Sequence, residues 1–229
     1  MNKTRHEYKY QVSDQELVQA LGRAAPLCQP DPNAGADGIY RVRSLYFDDM
    51  YDACYHENEN GTDPREKFRL RIYPGNSGGA ALELKRKEKG KSIKQSCPVS
   101  PEECMMLIEN QTPGPGGRFL LKKLNMLIQT RGMRPRIIVE YERRPLIYPL
   151  GNVRITLDRN ISFSRDFSSF FGENIPLRPA LPPGQHVLEV KFDEFLPDHI
   201  RWAAALPDLQ PTAFSKFYIC AYLDNRKGA

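Results

Sequence analysis

The feature of this chain that most constrains its fold is a set of short segments in which apolar and charged residues strictly alternate. Phe68-Arg69-Leu70-Arg71-Ile72 sets two arginines on one side of an extended chain and three apolar side chains on the other. Leu82-Glu83-Leu84-Lys85 with Lys87, Val153-Arg154-Ile155-Thr156-Leu157-Asp158, and Leu188-Glu189-Val190-Lys191-Phe192 repeat the arrangement. Near the start, Arg5, Glu7 and Lys9 share one side, opposite His6, Tyr8 and Tyr10. A period of two is the signature of a β-strand, whatever sheet it joins.

Runs of this kind predict eight strands, over residues 5–12, 41–47, 67–73, 81–87, 92–99, 136–146, 153–163 and 186–192. Helices are few. Ser13-Asp-Gln-Glu16 is a capping box opening a short helix to about residue 23, and Ser100-Pro-Glu-Glu103 repeats it with proline at the first helical position. Apolar spacing predicts a helix over 118–130, and two more are expected over 198–206 and 214–223. Stretches rich in glycine and proline at 26–38, 74–79, 112–117 and 174–184 read as loops rather than domain boundaries. The expectation is an α+β, mainly β protein, with one domain over residues 1–229 and an antiparallel barrel or sandwich at its centre.

Two arrangements satisfy the charged faces. They are the solvated outside of a sandwich, or they line the inside of a barrel wide enough for water and ligand. Outer faces usually mix in Ser, Thr, Gln and Asn, whereas here Arg, Lys and Glu sit at strand centres. Turned inward, Arg5, Lys9, Arg69, Arg71, Lys85, Lys87, Lys94, Arg154 and Lys191 would face Glu7, Glu83, Asp158 and Glu189. Like charges about 4 Å apart repel by about 4 kcal/mol at an effective dielectric of about 20. Such a lumen therefore calls for water, a polyanion, or both. A chain of phosphates offers negative charge along a line, and the carboxylates offer hard oxygens to Mg²⁺ or Mn²⁺.

Composition narrows the alternatives. The chain has 229 residues and a formal net charge of +5, consistent with an anionic partner. Its five cysteines, at 28, 54, 97, 104 and 220, are odd in number and form no C-x-x-C pair. A zinc site and a disulfide framework are thus disfavoured, and reduced thiols in a cytoplasmic protein are expected. The polar N-terminus carries no apolar signal region, and no run approaches the ~18 apolar residues of a membrane span. Gly90-Lys91-Ser92 imitates the end of a P-loop, but the upstream position that requires glycine is Lys85. Residues 85–94 hold six lysines or arginines without interleaved aromatics, so nucleic-acid binding is not expected. The four histidines are scattered, and no Ser-His-Asp or Cys-His arrangement is visible.

Eight pieces in order resemble the VTC domain, the polyphosphate polymerase domain of the vacuolar transporter chaperone family, within the triphosphate tunnel metalloenzymes or CYTH superfamily. They are RHEYKY at 5–10, SLYFDD at 44–49, KFRLRIY at 67–73, LELKRKEKGKSIK at 82–94, VEYERRP at 139–145, VRITLD at 153–158, LEVKF at 188–192 and FSKFYIC at 214–220. The resemblance implies an eight-stranded antiparallel β-barrel tunnel with flanking helices. It implies catalytic or phosphate-holding roles for Lys9, Arg69, Arg71, Lys85, Arg143, Arg154 and Lys216. Further phosphate contacts are expected from Arg5, Lys87, Lys94, Tyr141, Lys191 and Ser215. Glu189 would bind Mn²⁺ or Mg²⁺, with Glu7 and Glu83 as further candidate ligands. The expected partners are ATP, pyrophosphate and inorganic polyphosphate. If synthesis is coupled to transport, a membrane-protein partner must supply the channel.

Many hydrolytic members of the superfamily open with Glu-x-Glu-x-Lys. The equivalent here is Arg5-x-Glu7-x-Lys9, one carboxylate having given way to a cation. That weakens a second metal site and a water-activating role, and favours polymerase over triphosphatase. An inorganic or organic triphosphatase, or a non-catalytic polyphosphate-binding sensor, are the alternatives.

Overall fold

The computed structural model describes residues 5–75, 79–204 and 209–226. In chain order the elements are β1 (His6–Ser13), α1 (Asp14–Ala24), β2 (Gln29–Pro30), β3 (Tyr40–Asp48), α2 (Ala53–Glu59), β4 (Arg65–Ile72), β5 (Ala80–Glu88) and β6 (Lys91–Val99). There follow α3 (Pro101–Ile108), α4 (Phe119–Arg131), β7 (Arg134–Tyr148), β8 (Val153–Ser164), β9 (Arg178–Pro179), β10 (Gln185–Phe192), α5 (Asp198–Ala204) and α6 (Lys216–Arg226). All eight strands read from the alternation are present within a residue or two of their expected ends. The two-residue strands β2 and β9, which lie in the loop stretches, pair with β7 and β8. The last two residues of the helix expected over 198–206, and the centre of the 74–79 loop, lie outside the described residues.

Both capping boxes form. Ser13 Oγ and Ser100 Oγ accept from the N–H groups of Glu16 and Glu103, whose carboxylates accept in return from the Ser13 and Ser100 N–H groups. α2 carries no such box and was not expected. Its free N–H groups are met instead by Asp48, the last residue of β3, and by Asp49, which follows it. Asp48 accepts from the N–H of Cys54 at 2.8 Å and of Tyr55 at 3.0 Å, and Asp49 from that of Ala53 at 3.0 Å.

One antiparallel sheet runs β1-β10-β8-β7-β3-β4-β5-β6 and curls on itself. Here the expected closed barrel needs correction, because the sheet is open. Its end strands β1 and β6 meet at one isolated bridge, Arg5 to Ser92. The reason lies in the chain that leads into α6. The N–H of Thr212 donates to the Lys9 carbonyl at 2.7 Å, taking up edge capacity that a continuous β1–β6 ladder would need.

Three apolar clusters hold the sheet. On the outside, α3 and α4 cover β3, β4 and β5 through Leu107, Leu121 and Leu124 against Leu45, Leu70 and Leu82. Also outside, α1 and α5 cover β1, β8 and β10 through Leu17, Ala20 and Ile200 against Tyr10, Leu157 and Leu188. The third cluster is inside: Phe217, Cys220 and Ala221 of α6 pack on Val42, Val139, Tyr141, Phe163 and Val187. Part of the interior is thus an apolar seat for α6, and the charged residues line the rest. Burial of each Leu or Phe contributes roughly 1.5–3 kcal/mol, so both faces of the sheet are secured. Among the described residues no helix is long and apolar enough to cross a membrane.

Candidate active site

Because Leu82, Leu84, Phe68 and Leu70 must face the outer helices, their neighbours Glu83, Lys85, Arg69 and Arg71 face inward. The same logic turns Arg154, Thr156 and Asp158 of β8, Glu189 and Lys191 of β10, and Glu7 and Lys9 of β1 toward the interior, behind Ile155, Leu157, Val190 and Tyr10. The inward reading of the charged faces is what the geometry shows.

Four carboxylates organise the interior. Glu83 receives Arg69 at 2.6 Å, Lys94 at 2.9 Å and, more distantly, Arg71 at 3.8 Å. Arg69 also donates to the Tyr46 hydroxyl at 2.9 Å and Arg71 to Ser44 Oγ at 3.3 Å. Asp158 receives a bidentate pair from Arg143, both bonds 2.7 Å, and Lys216 at 2.7 Å from the first residue of α6. Glu189 is approached by Lys191 at 3.1 Å, Arg143 at 3.6 Å and Lys9 at 3.7 Å. Glu7 takes Lys9 at 3.0 Å and Lys85 at 2.8 Å. The eight cations Lys9, Arg69, Arg71, Lys85, Lys94, Arg143, Lys191 and Lys216 therefore share four carboxylates. That surplus of positive charge marks the interior as an anion site.

Protonation follows from these contacts. Burial opposes ionisation of Glu83, but Arg69, Arg71 and Lys94 outweigh it and hold the carboxyl far below its ordinary value. Burial likewise opposes ionisation of Glu189, and Lys191 and Lys9 hold it well below. Asp158 is lowered, Arg143 and Lys216 overcoming its burial. Lys85 goes the other way. Burial, aided by Lys9 and Lys191, lowers its ammonium to about 8. The carboxylates are fixed as anions, so none is a natural proton acceptor. No histidine is near: His6 stacks on Phe192, His186 meets Asp14, His199 meets Tyr148 and His56 meets Glu59.

Four expected residues stand apart from this network. Arg5 reaches back to Asp193 at 3.0 Å and to the Asn152 carbonyl. Arg154 is held by the buried Asp31 and by the Tyr40 hydroxyl at 2.9 Å. Lys87 shares the inner side of β5 but has no ion-pair partner among the described residues. Ser215 Oγ accepts from the Tyr218 N–H at 3.3 Å and so caps α6. Tyr141 lies beneath two cations, with the Lys216 ammonium 4.8 Å and the Arg143 guanidinium 5.1 Å from its ring centroid.

The candidate metal ligands are not equivalent. Glu83 is wrapped by cations and leaves little room for another. Glu7 and Glu189 lie side by side across β1 and β10, where Lys9 is the register partner of Glu189. Glu7 Oε1 is buried, with the Lys9 ammonium 3.0 Å away. No group of three or more potential ligands is found among the described residues. Glu7 and Glu189 offer hard carboxylate oxygens that would suit a divalent ion, in competition with the Lys9, Lys85 and Lys191 ammoniums around them.

Sequence reasoning missed several buried partners. Asp31, which holds Arg154, is only 3% exposed yet comes from a loop without periodicity. Lys67 shares the inner side of β4 with Arg69 and Arg71, so the same alternation could have found it. Arg43 is wholly buried on the outer side of β3. It pairs with Glu140, its register partner on β7, and donates to the carbonyls of Phe170 and Gly172, each at 2.7 Å.

Comparison with known proteins places the architecture. A family model described as the VTC domain matches residues 4–223. Curated protein sequences yield no match. Among solved structures, a proposed adenylate cyclase from Bacillus halodurans is similar with a TM-score of 0.51 at 14% identity, over 86% of this chain and 84% of its own. A protein from Pyrococcus horikoshii gives a TM-score of 0.49 at 13% identity, over 96% of this chain and 100% of its own. A proposed adenylyl cyclase from Hippeastrum, with a dominant triphosphatase activity, gives 0.45 at 13% identity, over 83% of this chain and 80% of its own. The first of these is a likeness of fold.

Proposed function

The chain belongs to the VTC domain family, and from that premise we propose that it is a polyphosphate polymerase, transferring the γ-phosphate of a nucleoside triphosphate, ATP foremost, to the end of an inorganic polyphosphate chain. The observation that carries the reading is the interior in which eight cations share four carboxylates. Phosphoryl transfer needs chiefly positioning and charge neutralisation. An acceptor phosphate is already ionised, so its terminal oxygen attacks without giving up a proton. The bond from γ-phosphorus to the β–γ bridging oxygen breaks, and the nucleoside diphosphate leaves with the electron pair.

In this reading Arg69, Arg71 and Arg143 grip phosphate oxygens, each now held by a carboxylate or hydroxyl that a phosphate can displace or share. Lys216 at the start of α6 adds its charge and the helix its positive end. Lys9, Lys85 and Lys191 surround the Glu7–Glu189 pair. When Mn²⁺ or Mg²⁺ is bound, Glu189 and Glu7 would hold it, and it would neutralise charge on the transferring phosphates. The place of the missing carboxylate also favours a polymerase over a triphosphatase. Arg5 is tied to Asp193 and Asn152, so β1 brings no second carboxylate to prime a water.

The test is turnover of ATP with Mn²⁺ and a pyrophosphate primer, with products resolved on a gel stained for polyphosphate. Wild type should give a ladder of long polymer, and Glu189→Gln should lose it by a factor of ~100 or more. Orthophosphate without a ladder would make the protein a triphosphatase. Tight polyphosphate binding without turnover would make it a sensor.

A further inference from the structure

A cavity of about 930 Å³ opens beside Arg154, at the rim of the charged interior. That volume is within the roughly 300–1,000 Å³ of small-molecule sites. Its walls are unlike the interior. The loop from Asn33 to Ile39 forms one side, and the turn Tyr73–Gly75 another. Tyr40 and Tyr73 meet edge to face with ring centroids 5.5 Å apart. Tyr73 is 40% exposed, so much of its ring is free to receive a flat partner. Asp37 and Glu142 add acceptor oxygens, the latter shared with Arg159 at 3.3 Å.

The cavity connects to the phosphate path through β8. Arg154 lines the cavity, and its Nε is buried without a hydrogen-bond partner. Thr156, two residues on and on the same inner side, is fully buried, and its hydroxyl is also unpartnered. Asp158 follows, locked to Arg143. Of these three residues Arg154 alone is on the cavity wall, its side chain 35% exposed, whereas Thr156 is closed off from it. A ligand with both an aromatic ring and a string of phosphates can meet Tyr73 and the Arg154 guanidinium together.

We propose that this cavity is the nucleoside subsite of the donor, with the base against Tyr73 and the first phosphate at the Arg154 guanidinium. The assignment rests on the nucleotide-dependent reading above and adds where the non-phosphate part sits and what recognises it. Base–aromatic stacking tolerates different bases, so discrimination among nucleotides at this subsite is weak, and the sugar and base together distinguish a nucleotide from bare triphosphate.

Calorimetric binding of ATP and of tripolyphosphate to the whole chain tests it, with wild type, Tyr73→Ala and Tyr73→Phe compared. Tyr73→Ala should weaken ATP about tenfold and leave tripolyphosphate unchanged, and Tyr73→Phe should keep ATP affinity, since the ring and not the hydroxyl is used. Parallel loss of both ligands, or loss of neither, would overturn the subsite while leaving the polymerase reading standing. Weakened tripolyphosphate with unchanged ATP would make the cavity an exit for product and overturn it too. If wild type bound neither ligand, the donor reading itself would fall and the subsite with it.

Discussion

Lys67, an inward residue of β4, answers to no carboxylate among the described residues. Its ammonium donates to Asn58 Oδ1 at 2.7 Å and lies 4.7 Å from the Phe217 ring centroid. Burial lowers it to about 7, with Arg65, Lys85 and Lys9 adding to the effect and Cys54 opposing it. The unfolded chain binds this proton up to about pH 10.4, the folded one only to about 7, so stability rises with pH between those values. Below pH 7 both states carry the proton, and the cost of burying it is fully present. Lys67→Met should therefore raise the melting temperature at pH 6 and lose most of that gain by pH 10. Thermal unfolding at both values checks this, and an equal gain at each would show that charge is not the cause. The inward direction of Lys67 was legible, since it is in phase with Arg69 and Arg71. Its weak hold on a proton was not, because Asn58 and Phe217 come from α2 and α6. The same limit hid Asp31 behind Arg154, and Glu140 behind Arg43. Alternation tells which side a residue faces, never what comes to meet it.

The eight principal strands could be read because apolar residues at every second position must reach a core on one face only. α1 and α3 could be read because their caps lie within the helix's own first turn. α2 could not, since Asp48 and Asp49 cap it from the end of β3 and the residue after it, across a reversal in which Asp52 takes a positive φ of 53°. The open seam was also illegible, because strand periodicity carries no information on whether the last strand pairs with the first. What holds α6 inside the curled sheet is a contact of this long-range kind. Arg136 of β7 reaches Asp52, ahead of α2, and Asp224, near the end of α6, each at 2.8 Å. Only 8% of each of the Arg136 and Asp224 side chains is exposed. Among the described residues, removing Arg136 leaves the buried Asp224 only the exposed Arg165, 3.7 Å away, at a cost of about 3 kcal/mol. Urea unfolding of Arg136→Ala should show that loss, and Asp224→Asn in the same background should recover part of it. No recovery would mean that the packing of the arginine stem, and not the pair, was lost.

At the scale of the whole molecule, the interior sets eight cations against four carboxylates. On the proposed function, carboxylates and phosphates compete there for the same cations, and substitution should shift the balance. Glu83 holds Arg69 and Lys94 and is approached by Arg71. Glu83→Gln keeps the shape but leaves these cations facing one another with less to offset them. The variant's melting temperature should fall in low salt, and part of the loss should return as salt screens the repulsion, the Debye length shrinking from about 10 Å at 0.1 M to about 3 Å at 1 M. Tripolyphosphate should do more. A ligand at a hundred times its dissociation constant adds about 2.7 kcal/mol to the folded state. In Glu83→Gln it also replaces the missing negative charge, so its melting shift at a fixed concentration should exceed that of wild type. Thermal unfolding of both proteins, with and without tripolyphosphate, measures the difference. Equal shifts would mean that Glu83 and phosphate do not draw on the same cations. A larger shift in the variant would mean that Glu83 and phosphate serve the same cations, the carboxylate standing where a phosphate would.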